Sequence, residues 1–374
     1  MKIAINAISA KKGGIRTYTT NLLRELSARG ADFWIGVPQD FPPSPHAVPM
    51  AASEYGMLGR LAWEQTVWPR HIRSRGSDVL FSSANFGLLT PPVPQVLMIR
   101  EVGLFDPLYL SSIAAAQGVK AATLRDLRRR LILASARRAS VILTPTQATA
   151  DMVLEWDRSL KSKFQVNPYG TLLDRFSPSA TPRSWAEDGT IRMLYVSVYY
   201  PHKAPGVLAQ AVRLLIEHGT SAHATVTMGL DEVRQTLGAG QDLFHMQQAM
   251  ERGDVLMSPT NYEDLPDLYH QHDVFVFPSV NETFGHPLVE AMASGIPVVA
   301  ADIGVHREVC GDCALYFPPF SFQGLADQVL KLQSDPELRN TLIDKARRRA
   351  MDAFAWSGHV ERLLSVLEKA SHSR

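Results

Sequence analysis

The chain has 374 residues, 45% of them hydrophobic and 20% charged, which describes a folded globular protein and excludes a disordered one. That length exceeds one ordinary core, so two domains are expected. Formal net charge is only +1, no apolar run is long enough for a transmembrane helix, and two cysteines exclude a disulfide scaffold and suit a reducing cytosol.

The charge is unevenly spread. Residues 1–180 hold 22 Lys+Arg against 13 Asp+Glu, and residues 181–374 hold 16 against 24. Such asymmetry suggests that the first half meets something anionic: nucleic acid, an anionic membrane surface or a lipid-phosphate acceptor. The alternative is that the two halves attract each other. The basic bias lacks interleaved aromatics, which argues against nucleic acid.

In chain order, MKIAINAISA carries a short apolar stretch broken by Asn6 and reads as a buried first strand, not a secretory signal. Gly13 and Gly14 then make a turn into TYTTNLLRELSARG, a helix with apolar residues at helical spacing and a glycine stop. Further strands are expected at FWIGV, DVLFS, QVLMI, SVILTP and FQVNP. Residues 120–138, KAATLRDLRRRLILASARR, hold seven basic residues and one acidic, with Leu124, Leu127 and Leu131 on one stripe expected to pack inward. Its cations, among them Lys120, Arg125, Arg128, Arg129 and Arg130, would then serve as electrostatic contacts to anionic lipid.

Residues 177–190, SPSATPRSWAEDGT, have no periodicity and are taken as the interdomain linker. Beyond them RMLYVSV, ATVTMG, DVLMSP, DVFVFPS and IPVVAAD read as strands with helices between. Continuous apolar strands alternating with helices mean parallel sheets covered on both faces. The expected organisation is an α/β chain of two doubly wound, Rossmann-like domains, 1–180 and 190–350, with a final helix in 351–374 crossing back to the first. Ligands of open α/β sheets bind beyond the carboxyl ends of the strands, so two facing domains would frame a central cleft.

The informative stretch is DVFVFPSVNETFGHPLVEAMASGIPVVAAD, residues 273–302. A strand ends at Pro278-Ser279, a polar loop follows, and Phe284-Gly285-His286-Pro287 opens a helix closed by Gly295. Proline suits a first helical turn. The first-turn amides of Leu288 and Val289 are expected to lack partners and to favour an anion, and Gly285 would let a ligand approach the backbone. Glu282 and Glu290 flank this phosphate-binding turn. Carboxylates there make sense as acceptors from sugar hydroxyls, which matches a nucleotide sugar: a diphosphate with a sugar at each end. The competing reading is a helix with ordinary surface acids.

The E-x7-E string in NETFGHPLVEAMASGIPVVA resembles the donor motif of retaining glycosyltransferase family 4 (glycosyltransferase group 1), which has the GT-B fold. The likeness runs through LPDLYHQHDVFVFPS and FAWSGHVERLL, is strong over residues 254–318 and is looser in the first half. The resemblance implies that Glu290 binds the ribose hydroxyls and that Glu282 contacts the transferred sugar. It places the backbone of Phe284 and Gly285 against that sugar and the amides of Leu288 and Val289 against the phosphates. It also puts Lys203 on the leaving diphosphate, Thr260 beside the base, and Gly13, Gly14 and Arg16 on the phosphate or acceptor side. Two positions depart from the family. Ser197-Val198 stands where Gly-Arg is usual, and Arg100-Glu101 where His-Asp is usual, leaving Arg100 as a candidate cation in place of a histidine.

The implied activity is metal-independent transfer, with retention, from a nucleotide-diphosphate sugar to a saccharide or lipid-linked acceptor. No D-x-D pair and no separate cofactor are expected. The implied setting is cell-surface polysaccharide or glycolipid synthesis, in the cytoplasm or at the inner face of the membrane. The rival readings are a non-catalytic sugar-nucleotide-binding protein and a GT-B sugar-nucleotide epimerase. Cys310-Gly311-Asp312-Cys313 lacks the second pair that a zinc site needs and is read as structural.

Overall fold

The apolar runs become short parallel strands, the central ones of each sheet buried. The structure, a computed structural model, describes residues 1–11, 13–179 and 184–372. The first sheet contains β1 (Ile3–Asn6), β2 (Phe33–Val37), β3 (Ala47–Pro49), β4 (Val79–Ser82), β5 (Gln95–Met98), β6 (Val141–Thr144) and β7 (Phe164–Val166), ordered 3-2-1-4-5-6-7. The second contains β8 (Ile191–Tyr195), β9 (Ala222–Val226), β10 (Val255–Met257), β11 (Val274–Phe277), β12 (Val298–Ala301) and β13 (Ala314–Phe317), ordered 10-9-8-11-12-13. Paired strands run parallel throughout, with Ile3 opposite Phe33 and Val79 in one sheet and Phe275 opposite Leu194 and Val298 in the other.

The sequence reading left out β3 and β13. Both are edge strands, half-buried over much of their length. Pro49 closes β3 at the sheet edge, where a missing N–H is tolerated.

The chain divides into two compact units: Met1–Phe105, Thr123–Gly170 and Trp356–Arg374 form one, and Asp106–Ala122 with Thr171–Ala355 form the other. The division falls at Gly170, ahead of the linker expected at 177–190. Residues 180–183 of that linker lie outside the described residues, and its described part groups with the second unit. Asp106–Ala122, expected within the first domain, also groups with the second.

The final helix, Trp356–His372, belongs to the first unit. His359 is fully buried there, with Nδ1 2.8 Å from the Pro168 carbonyl and Nε2 3.0 Å from the Tyr18 hydroxyl. A carbonyl only accepts, so Nδ1 carries the proton and Nε2 accepts from Tyr18. Gly170 lies so close that a Cβ there would sit 2.5 Å from the Trp356 Cα. Among the described residues, no helix is long and apolar enough to cross a membrane.

Candidate donor site in the second unit

In the second sheet β8 and β11 are neighbours from which the chain winds in opposite directions, through β9 on one side and β12 on the other. That is a topological switch point, where loops diverge beyond the strand ends and leave room for a ligand. The loop after β8 carries Lys203, and the loop after β11 carries Glu282.

Lys203 ends a single turn, Pro201–Lys203, pinned by the Tyr195 hydroxyl donating to its carbonyl at 2.8 Å. Ala204 takes a left-handed backbone, φ 45°, and the helix Pro205–Glu217 starts there. The two loops are tied together, since the Val280 amide donates to the His202 carbonyl at 2.9 Å. The Lys203 ammonium pairs directly with the Glu282 carboxylate, and both side chains are nearly buried. Burial pushes the Glu282 carboxyl up, but the Lys203 charge beside it wins and holds it below the ordinary carboxylate value. His202 and His306 are both driven down to about 4 by burial, so each is neutral near pH 7.

The Glu282 loop is braced by a contact absent from the sequence reading. The Asn281 amide donates to Asp106 at 2.6 Å, while the other Asp106 oxygen caps Pro107–Ser112 by accepting from the Leu108 amide at 2.9 Å. Both side chains are buried. Tyr109 adds an edge contact to the His202 ring, centroids 5.9 Å apart. These partners lie 175 residues apart, so no local pattern reveals them.

The helix His286–Ser294 begins at Gly285, whose φ of 84° is left-handed and costs glycine little. Added bulk would meet Leu288 at 3.0 Å and Phe277 at 3.4 Å. Phe284 is buried, edge-on to His286 and Phe354. The Leu288 amide, expected to lack a partner, donates to the Gly285 carbonyl at 3.0 Å. The left-handed turn at Gly285 aims that carbonyl back at the helix and uses this donor. Leu288 and Val289 present buried side chains to the core. Gly295, φ 78°, closes the helix as expected.

Glu290 sits one turn into the helix and is almost fully buried, with no cation beside it among the described residues. The Tyr262 hydroxyl donates to one of its oxygens at 3.3 Å, and the Tyr269 hydroxyl lies 3.2 Å from the other. Burial pushes this carboxyl up to about 7, against the pull of the two phenols. Thr260 lies in the loop after β10, its hydroxyl donating to the Ser258 carbonyl at 2.8 Å. Val198, at the usual arginine position, is exposed, and Ser197 is held by Thr227.

The candidates from the first half fall in the first unit. Gly13, φ 65°, and Gly14 open the first helix, with open space where a Cβ would point. Arg16 is engaged with Asp40 at 2.7 Å and with the Lys11 and Asp40 carbonyls. Arg100 lies over the rings of Tyr18 and Tyr169, 4.7 and 5.1 Å from their centroids. Its neighbour Glu101 pairs with Arg128 at 2.6 Å.

The basic helix spans Gly118–Arg138 and corrects the expected stripe. Leu124 and Leu127 are exposed, as is Val119, and the core face is Ile132, Leu133, Ser135 and Ala136. Arg129 is used by Asp126, the Leu104 carbonyl and the Trp156 ring, and Arg130 pairs with Asp126 while remaining exposed. Cys310 and Cys313 are buried free thiols, and among the described residues no cluster of three or more His, Cys, Asp or Glu could hold a metal.

Residues 181–349 match the family model of glycosyl transferases group 1. A D-inositol 3-phosphate glycosyltransferase of Saccharomonospora viridis is 29% identical over 246 residues, 62% of this chain and 56% of the relative. The match thus spans little more than half of that protein. Sucrose-phosphate synthase from Thermosynechococcus elongatus superposes with a TM-score of 0.80 at 19% identity, covering 99% of this chain and 98% of that one. The Anabaena protein HepE, in complex with UDP and glucose, gives 0.75 at 18%, covering 98% and 99%. Both likenesses concern the fold, two parallel α/β sheets of the GT-B type. The glycosyl transferases group 1 match thus covers residues 181–349, just under half of the chain, and holds β8 to β13 with Lys203, Glu282 and Glu290.

Proposed function

We propose that this chain is a retaining glycosyltransferase that moves a sugar from a nucleotide-diphosphate sugar to a saccharide or lipid-linked acceptor, without an essential metal. The observation that carries the reading is the Lys203–Glu282 pair at the switch point, one helical segment away from the buried Glu290. One cation and two carboxylates in that order suit the parts of a nucleotide sugar. Lys203 takes the diphosphate, Glu282 the hydroxyls of the transferred sugar, and Glu290 the ribose diol. Binding exchanges the Lys203–Glu282 contact for one from Lys203 to the diphosphate and one from Glu282 to the transferred sugar.

The backbone at Phe284 and Gly285 faces the sugar, and the helix dipole with the Val289 amide adds to phosphate binding. The Leu288 amide contributes only by sharing its hydrogen with the Gly285 carbonyl. The leaving charge is therefore stabilised mainly by Lys203, a fixed cation in a site poor in water. The acceptor hydroxyl attacks from the face the phosphate leaves, and the departing phosphate oxygen takes its proton. Acceptor binding is assigned to the first unit on its positive charge. The family match and the likeness to a protein solved with UDP support the donor class.

The test is a transfer assay with candidate nucleotide sugars and lipid-linked or saccharide acceptors, read by release of the nucleoside diphosphate and by NMR of the product anomer. Acceptor-dependent release that survives EDTA, with an α-linked product from an α-linked donor, is the expected result. Inversion, or release abolished by EDTA and restored by a divalent ion, contradicts it. Release of a free isomerised sugar without any acceptor would favour an epimerase.

A further inference from the structure

The buried carboxyl of Glu290 has a shell of its own. Tyr262 stands in the loop after β10, Tyr269 on the helix Leu265–His270, and each hydroxyl addresses a different oxygen of Glu290. Both rings are set by Phe176, which is fully buried and meets Tyr262 and Tyr269 edge-on at 5.8 and 5.7 Å. Tyr269 also packs on Phe275 of β11 at 5.6 Å, and the Arg175 guanidinium lies over the Tyr262 ring at 5.6 Å. Three segments that share no local sequence pattern thus converge on one carboxylate.

We infer that Tyr262 and Tyr269 are positioning residues for the nucleotide ribose: they hold Glu290 ionised and fix its remaining lone pairs toward the ribose diol. This inference rests on the donor reading above. Each carboxylate oxygen has one phenol within hydrogen-bond distance, Tyr269 sharing its single hydrogen with the Pro287 carbonyl at 3.3 Å, and keeps lone pairs for a second donor, so two vicinal hydroxyls can complete the set. Without the phenols the carboxyl is buried with no positive partner, and burial favours its neutral form. A neutral carboxyl donates one hydrogen bond of its own and is a poorer acceptor for a diol.

Among the described residues, the groups that bear on Glu290 are these two phenols, with Arg175 acting at one remove through Tyr262. From the helix Gly304–Cys310 the neutral His306 ring packs on Phe277, and from Pro336–Ala353 Arg347 reaches Gly295 at the far end of the helix. Because burial places the Glu290 carboxyl near 7, donor affinity should fall with pH in the ordinary working range. Ionised Glu290 predominates above that value and is lost as pH falls through it.

The experiment is calorimetric binding of UDP-glucose, GDP-mannose and ADP-glucose to the full chain between pH 6 and 8.5, with wild type, Tyr262→Phe, Tyr269→Phe and Glu290→Gln. The diphosphate diester of these probes does not titrate in that range. For the probe that binds, wild-type Kd should rise about tenfold from pH 8.5 to 6, and Glu290→Gln should be flat. A Tyr→Phe change that raises the carboxyl by about one unit should weaken binding roughly fivefold at pH 7 and less than twofold at pH 8.5. Recovery at high pH separates positioning from misfolding, which would weaken binding at every pH. A variant-to-wild-type ratio constant with pH, or an unchanged profile in Glu290→Gln, overturns the inference while leaving the donor site standing. Failure of all three probes to bind the wild type overturns the donor reading and this inference with it.

Discussion

Lys203 and Glu282 are each costly to bury alone, and each makes the other tolerable. Replacing Lys203 by Met should cost about 3 kcal/mol near neutral pH, because Glu282 is left as an uncompensated charge. The Glu282 carboxyl is depressed in the fold, so its stabilisation is complete above the ordinary carboxylate range and disappears as pH falls through its lowered value. In Lys203→Met the unpaired carboxyl is pushed up by burial, so the penalty should shrink as pH falls and that carboxyl takes a proton, and the double variant Lys203→Met/Glu282→Gln should recover most of it. Urea denaturation at pH 7 and pH 4.5 measures both; a penalty equal at the two values would contradict the pairing. Glu282 and Glu290 were legible as candidates from their places around a strand–helix turn with first-turn amides expected to be open, and Lys203 was legible only through the family resemblance. Tyr262, Tyr269, Asp106 and Asn281 were not legible, because their roles come from contacts closed by the fold and not from spacing.

At the level of elements, the helix after β11 could be placed from sequence by its Pro287 start and Gly295 stop, and the structure keeps both. Its amide pattern was not legible, since the Gly285 carbonyl is turned inward by a left-handed residue that sequence marks only as a glycine. The helix Gly118–Arg138 misled for another reason. Leu124 and Leu127 have core-like spacing, but the buried positions begin only at Ile132, so its first half is not held by the stripe. Exposed Leu124 and Leu127, on the first unit's part of the helix with exposed Arg130, form an apolar surface edged with positive charge. We propose that this stretch, with Arg125, is the contact to anionic membrane. The chain should float with vesicles containing phosphatidylglycerol and not with pure phosphatidylcholine. Leu124→Ser/Leu127→Ser should weaken flotation several-fold, and salt should do the same. Equal binding to neutral vesicles would contradict it.

For the whole molecule, alternating strands and helices gave two doubly wound sheets, but strand order and the unit boundaries needed the structure. Periodicity carries no information about which strands are neighbours, and the return of Trp356–His372 to the first unit rests on buried contacts around His359. The tightest is at Gly170, where any side chain would strike the Trp356 backbone. Gly170→Ala should cost roughly 2–4 kcal/mol and raise amide exchange along the final helix before the rest of the first unit, as overpacking against backbone has no cheap relief. Uniform exchange with unchanged stability would contradict that anchoring.

The central claim is that the second unit holds a nucleotide sugar through Lys203, Glu282 and Glu290. It is tested most directly by thermal shift of the chain against a panel of nucleotide sugars, with wild type beside Glu290→Ala. One nucleotide sugar should raise the wild-type melting temperature in a saturable way and leave Glu290→Ala unmoved. A panel without effect on the wild type, or an equal shift in Glu290→Ala, would contradict the account.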